Sequence, residues 1–344
     1  MDFESTEEHR MIRRMVREFA EREIAPRAEE IDATDRFPDD LFRRMGALGI
    51  LGMPFPEAYG GSGSSYTSLI IALEEIARVS GSMAIALDAH TSLCCEPIYL
   101  FGTDAQKRTY LTPLALGEKI GAFGLTEPEA GSDAGATRTR AVRDGDEWVI
   151  NGQKIFITNG SIADISVITA KTDPEKGTRG ISAFIVEKGT PGFQPGRDEK
   201  KMGLKGSVTS ELFFENCRIP AENLLGNENE GFKQFLVVLD GGRIARAIAY
   251  LHDVYPESPS LAQISKQAHM SPFHFHRLFS RQAGISPKHY LQKKQLQVAK
   301  WLLRSSKHSI GSIAAHTGFA SHGHFTSTFH RLVGVSPTEY RQQD

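Results

Sequence analysis

The sequence predicts a multidomain α+β protein: a helical N-terminal domain, a β middle domain of barrel or sandwich type, and an all-α C-terminal domain with two helix-turn-helix units. Three observations predict it. Apolar residues recur at helical spacing through residues 1–118, short β-rich runs fill residues 120–215, and one helix–break–helix layout occurs twice after residue 246. The 344 residues suit two or three domains, expected at 1–118, 119–230 and 246–344, with a junction helix at 231–245.

In the first region Met11, Met15, Phe19 and Ala20 keep helical spacing among charges. A second helical pattern runs from Asp40 to Leu48, a loop rich in Pro, Gly and Ser from Pro54 to Ser65, and further apolar helices over Ser68–Val79 and Met83–Leu100. In the second region the runs beginning at Trp148, Ile155, Ile165, Ile181 and Glu211 read as strands. The pairs Asp144-Gly145, Asn151-Gly152, Asn159-Gly160 and Pro191-Gly192 read as the turns between them. In the third, Leu261–Ala268 and Phe273–Ala283 are followed by Gly284-Ile-Ser-Pro, and Ile310–Thr317 and His322–Val333 by Gly334-Val-Ser-Pro. Pro287–Arg304 joins the two copies.

No apolar run is long enough to span a membrane, and the charged N-terminus is unlike a secretory signal. Three cysteines (Cys94, Cys95, Cys217) lack zinc or redox spacing, so no metal site is expected and a reducing cytoplasm is the simplest location. The net charge of −2 conceals a split. Residues 246–344 hold twelve Lys and Arg, four Asp and Glu, and ten of the twelve histidines; the remainder holds 28 basic and 38 acidic residues. Such a balance points to a polyanion-binding tail on an acidic body, though it also suits a merely solvated face.

Helix-turn-helix units place their second helix in the DNA major groove. The first candidate reading helix carries His274, His276 and Arg277, the second His322, His324, Thr326 and His330. Arg and His offer donors to base edges and phosphates. On these residues alone a small helical interaction domain with surface histidines is the alternative. The set Ser271-Pro-x-x-Phe-x-Arg-x-Phe279, Gly284-Ile-Ser-Pro287, Ile313-Ala314, Gly318-Phe319, Phe325-x3-Phe329, Gly334-Val-Ser-Pro337 and Tyr340-Arg341 resembles the DNA-binding domain of AraC-family transcription regulators. That resemblance implies double-stranded DNA as partner, contacted by Phe273, His276 and Arg277 in the first unit and by His322, His324 and Thr326 in the second. Ser327 stands where many relatives carry a basic residue.

The segment Gly124-Leu-Thr-Glu-Pro-Glu-Ala-Gly-Ser-Asp-Ala-Gly-Ala136 concentrates glycines and hydroxyls, and its spacing alone fits a ligand loop or an ordinary polar loop. With Lys154-Ile-Phe-Ile-Thr-Asn-Gly160, Lys201-Met-Gly-Leu-Lys-Gly206, Glu215-Asn-Cys-Arg-Ile-Pro220 and Leu239-Asp-Gly-Gly-Arg243 it resembles the acyl-CoA dehydrogenase family, most nearly the short-chain, butyryl-CoA type, over about residues 1–243. The resemblance implies FAD as cofactor, lined by Phe123, Leu125, Thr126, Gly131, Ser132, Phe156 and Thr158. It also implies a short-chain acyl-CoA thioester near Ser132, Asp240 and Arg243. Phe156 departs from the family's commoner Trp, and plain core packing is the alternative for Phe156 and Trp148. The family's reaction needs a carboxylate base to take a proton α to the thioester. Most members carry that Glu in a C-terminal four-helix domain, and a minority place it just before the Arg of Gly242-Arg243. Neither position is filled, so no catalytic residue is expected and the chain alone is expected to be inactive as a dehydrogenase. The resulting expectation is a DNA-binding regulator with a truncated flavin and acyl-CoA module as sensor. The alternative is a dehydrogenase fragment acting on short-chain acyl-CoA.

Overall fold

The structure, a computed structural model, describes residues 6–342, without the side chains of 240–243, 245, 246, 249, 253, 281 and 282. It divides into two compact units, Glu7–Val238 and the chain from Leu239 onward. Among the described residues no helix is long and apolar enough to cross a membrane.

The first unit opens with helices α1 (Glu7–Phe19), α2 (Ala28–Thr34), α3 (Asp39–Ala47), α4 (Tyr66–Ala77), α5 (Gly81–Asp88), α6 (Glu96–Phe101), α7 (Asp104–Gln106) and α8 (Thr112–Ala115). Their starts are fixed locally. Ser65 Oγ accepts from Ser68 N at 3.1 Å, and Thr103 forms a reciprocal cap with Gln106. The expected helix over Met83–Leu100 continues through a π-helical stretch, Ala89–Cys95. Val16, Phe19, Leu41, Phe42, Leu69, Ile76 and Met83 pack into one core. A buried carboxylate clamps α1 to α4: Arg13 Nη1 donates to Glu75 Oε1 at 2.6 Å and Arg17 Nε to Oε2 at 2.8 Å. The Arg17 contact, then burial in the opposite sense, and Arg13 hold Glu75 down at about 2.

An eight-stranded sheet follows: β1 (Gly121–Gly124), β2 (Arg140–Asp144), β3 (Glu147–Thr158), β4 (Ile165–Lys171), β5 (Ile181–Glu187), β6 (Phe193–Asp198), β7 (Thr209–Pro220) and β8 (Leu224–Leu225). The order is β6-β7-β3-β2-β4-β5-β8, with β1 parallel to β4. β3 and β5 are three strand spacings apart, about 14 Å in a flat sheet. Yet the rings of Trp148 on β3 and Phe184 on β5 lie 5.2 Å apart, so the sheet curls around its core. This agrees with the expected α+β class and places Trp148 in the core.

One expected turn is absent. Asn151-Gly152 does not separate two strands; β3 runs through it with a register shift against β7 between Ile150 and Gly152. Gly152 takes φ +152°, and a Cβ there would stand 2.4 Å from Thr139 Oγ1. An Asn-Gly pair serves a hairpin or a bulge equally well, and here the long β7 partner selects the bulge.

The second unit comprises the end of α9 (Gly231–Val254) and helices α10 (Leu261–Gln267), α11 (Pro272–Ala283), α12 (Pro287–Ser305), α13 (Ile310–His316), α14 (His322–Val333) and α15 (Pro337–Gln342). Serines 260, 271, 286, 309 and 321 cap the starts of α10 to α14. Gly284 and Gly334, at φ +68° and +90°, end α11 and α14 in left-handed geometry. Two cores result. Ile264, Phe275, Phe279, Tyr290 and Leu291 form one; Leu296, Leu303, Ile313, Phe325, Phe329 and Tyr340 form the other. The 19-residue α12, about 28 Å long, contributes to both.

Candidate functional sites

The first candidate site is the edge of the sheet where β1, β3 and the loop 124–136 meet. Lys154 and Glu127 build it from beneath. Their side chains are 0% and 2% exposed, and Nζ lies 2.7 Å from Oε1. Lys154 Nζ also donates to Leu125 O at 3.3 Å, Thr137 Oγ1 at 3.3 Å and Thr169 Oγ1 at 3.1 Å. Glu127 accepts from the Thr137 hydroxyl and from the Arg138 and Thr139 backbone N–H groups. Burial raises the Glu127 carboxyl, but Lys154 and these donors outweigh it and hold it below the usual range. Burial pulls Lys154 down to about 8, with Glu127 opposing. A buried charge pair persists only when its remaining donors and acceptors are satisfied, as they are here. The pair ties the loop to β3, and Ile155 N donating to Thr126 O at 2.9 Å adds a second tie.

Residues two apart on a regular strand share a face. Lys154 is buried, yet Phe156 is 60% exposed. A register shift between Lys154 and Ile157 reverses the facing, and Phe156 takes φ +57°. A bulky side chain in this region is unusual and costs of order 1–3 kcal/mol, a strain found most often near functional sites. Core packing therefore does not account for Phe156.

The other residues expected at FAD lie as follows. Phe123 is buried and stacks on Phe235, centroids 4.0 Å apart. Leu125, Thr126 and Thr158 are half-buried, and Gly131 and Ser132 are exposed. Nothing lies within 4 Å of a Cβ built on Gly131. The side chains of Asp240 and Arg243, expected at the acyl-CoA, lie outside the described residues. Lys154 and Glu127 both fall within the sequence motifs that carry the family resemblance. Lys154 is the one charge in its run, whereas Glu127 shares its loop with Glu129 and Asp133 and is not singled out by sequence.

The second candidate site is the outer face of α11 and α14. On α11 the apolar stripe Phe275 and Phe279 is fully buried, while Phe273 (79%), His276 and Arg277 are exposed. Arg277 Nη2 lies 3.4 Å from His274 Nδ1. On α14 Phe325 and Phe329 are buried, His322, His324 and His330 are exposed, and Thr326 is half-buried. Thr326 Oγ1 has no hydrogen-bond partner among the described residues. His322, Gly323, Thr326, Ser327, His330 and Ser336 line an open groove along this helix. The sequence-predicted Phe273, His276 and Arg277 thus share one helix face, and His322, His324 and Thr326 lie together on α14. α11 and α14 contain no acidic residue.

The chain matches the "Acyl-CoA dehydrogenase, N-terminal domain" over residues 6–118, the "Acyl-CoA dehydrogenase, middle domain" over 122–217, and a "Helix-turn-helix domain" over 264–343. It is 52% identical over 270 residues to a short-chain specific acyl-CoA dehydrogenase of Clostridium acetobutylicum, covering 78% of this chain and 71% of the relative. Among solved structures, butyryl-CoA dehydrogenase of Megasphaera elsdenii superposes with a TM-score of 0.71 at 34% identity, covering 97% of this chain and all of that one. An acyl-CoA dehydrogenase complexed with FAD from Bacillus anthracis gives 0.66 at 31% identity, covering 98% and 54%. Two matched domains in their expected order and 52% identity over 270 residues to a dehydrogenase lead to one conclusion: the chain belongs to the acyl-CoA dehydrogenase family and carries an AraC-type helix-turn-helix domain at its C-terminal end.

Proposed function

We propose that the chain is a sequence-specific, DNA-binding transcription regulator of AraC type whose residues 1–243 act as a flavin- and acyl-CoA-binding sensor. The observation that carries this reading is the outer face of α11 and α14: histidine, arginine and threonine over a fully buried phenylalanine stripe, with no acidic residue in either helix. Such a face can donate to base edges and phosphates without repelling them. Phe273, His276 and Arg277 act in the first unit, and His322, His324 and Thr326 in the second. Selection of duplexes from a random pool by the full chain tests the reading, run with and without butyryl-CoA. A defined consensus is expected, with affinity falling as salt rises. Arg277→Ala is expected to weaken binding to that consensus by about 1–3 kcal/mol. Recovery of random sequence would refute sequence-specific binding.

The first site fits one face of a flat heteroaromatic ring. Phe156 presents an outward aromatic face, Thr126 and Thr158 offer hydroxyls, and Gly131 leaves open space. These residues, with Phe123, Leu125 and Ser132, would hold FAD, which when bound accepts hydride from an acyl thioester. Ser132 would contact the thioester arm. Flavin absorbance in the purified chain, weakened in Phe156→Ala, is the expected result. The 52% identity to a dehydrogenase favours a second reading, a short-chain acyl-CoA dehydrogenase fragment that is inactive alone. Turnover of butyryl-CoA with an electron acceptor would instead show that a base is present and overturn the expected inactivity.

A further inference from the structure

The tail is poor in acids and rich in imidazole, and the imidazoles are concentrated where the second candidate site lies. Five of the chain's twelve histidines, His274, His276, His322, His324 and His330, sit on α11 and α14, within 24 helical residues. Four of them, all but His274, are exposed. The permanent cations described on the same two faces are only Arg277 and Arg331.

We propose that the duplex-reading surface is charged by protons, so that its affinity for DNA is set by pH through these five histidines. The proposal rests on the DNA-binding reading above. Imidazole is the side chain whose charge changes in the physiological range. On this surface, therefore, more of the available positive charge is switchable than permanent.

The neighbouring elements favour the switch. α11 packs against α10 and α12, and α14 against α13 and α15. α10 brings Lys266; α12 brings Lys288, His289, Lys293, Lys294, Lys300 and Arg304; α13 brings His316; α15 brings Arg341 and Glu339. α9, whose residues share the core with α11, carries His252, whose ring nitrogen lies 3.0 Å from Tyr290 Oη, and Asp253, whose side chain lies outside the described residues. Glu339 is thus the one carboxylate described on the four packed helices, and it is engaged: its Oε2 accepts from Ser336 N at 2.7 Å while it interacts with His330. The phosphates of a bound duplex, rather than a protein carboxylate, would stabilise the imidazolium forms. DNA binding then takes up protons, and by linkage lowering the pH tightens binding. His274 is subtler, because Nδ1 faces the Arg277 guanidinium at 3.4 Å. Its protonation frees Arg277 to swing toward a phosphate.

The test uses the full chain and a mixed-sequence 30-base-pair duplex, titrated at pH 8.0, 7.0 and 6.0 at constant ionic strength. Each phosphate neutralised by an added imidazolium steepens the log–log salt slope by about 0.9. We expect at least tenfold tighter binding at pH 6.0 than at pH 8.0, with a salt slope steeper by about two or more. The combined variant His274→Gln, His276→Gln, His322→Gln, His324→Gln and His330→Gln is expected to flatten the pH profile. His308→Gln with His316→Gln, off the two helices, is expected to keep it. Circular dichroism of each variant at both pH values reports whether the fold is retained. Salt-dependent binding that is equal at pH 6.0 and 8.0 overturns this proposal alone. Absence of binding at every pH overturns it together with the DNA-binding reading. A pH dependence that persists in the five-histidine variant also overturns it, by assigning the protons elsewhere.

Discussion

The two units handle charge in opposite ways. Glu7–Val238 has an excess of acids, many of them paired with bases, and the described ion pairs of the molecule all lie there, including the buried Lys154–Glu127 pair and the Glu75 clamp. From Leu239 onward the helices are held by apolar stripes, serine caps and glycine stops, and the described contacts of their cations are with rings and backbone carbonyls, as with Arg304 over Tyr340 and Arg341 on His308 O. Charge spent inside a fold positions loops, whereas charge left at the surface remains available to a polyanion. The larger unit uses many of its ionisable groups in ion pairs, and the smaller one has no described ion pair of its own.

The largest effect should come from the buried pair. Lys154→Met leaves Glu127 buried without its partner and should cost about 3–5 kcal/mol, read by urea unfolding of the full chain. The double variant with Glu127→Gln should cost less than the two single changes added together, showing coupling. Additive losses would mean that the two groups act independently. The Glu75 clamp comes next. Its carboxylate titrates lower in the folded than in the unfolded chain. Its stabilisation is therefore complete above the ordinary carboxylate range and is lost as pH falls from about 4.5 toward 2. With arginine partners 38% and 49% exposed, solvent screening limits the loss to about 1–2 kcal/mol. Glu75→Gln should remove that part of the acid dependence in melts between pH 5 and 3. The smallest effect tests the second unit. Gly284→Ala and Gly334→Ala place a Cβ in open space, so only left-handed strain opposes them, about 1 kcal/mol each. Equal losses in the two repeats would show that their stops are equivalent, and unequal ones that the repeats have diverged.

The second unit was the more legible in sequence because its signals are local. His322–Val333 is bounded by a serine cap and a glycine stop, and the observed α14 has those limits. α11 begins at Pro272, one residue before the sequence reading. In the sheet the decisive partners are distant. β1, with the sequence GAFG, and β6, with FQPGRD, have little strand propensity and carry no strand signal of their own. β1 forms by parallel pairing with β4, and β6 by pairing with β7. The candidate site on the sheet was legible as a set of residue names but not as a geometry. Neither the burial of Lys154 nor the left-handed turn of Phe156 leaves a mark within its own strand, since both depend on Glu127 and β7.

Phe156 shows what that geometry entails. Its ring faces outward because the chain there holds a twist that an L residue ordinarily avoids. Relaxing the peptide to ordinary strand angles would restore the regular ladder and swing the aromatic plane toward the interior. Firmness of the sheet and presentation of the ring thus compete at a single residue, and the protein has settled on the less comfortable of the two.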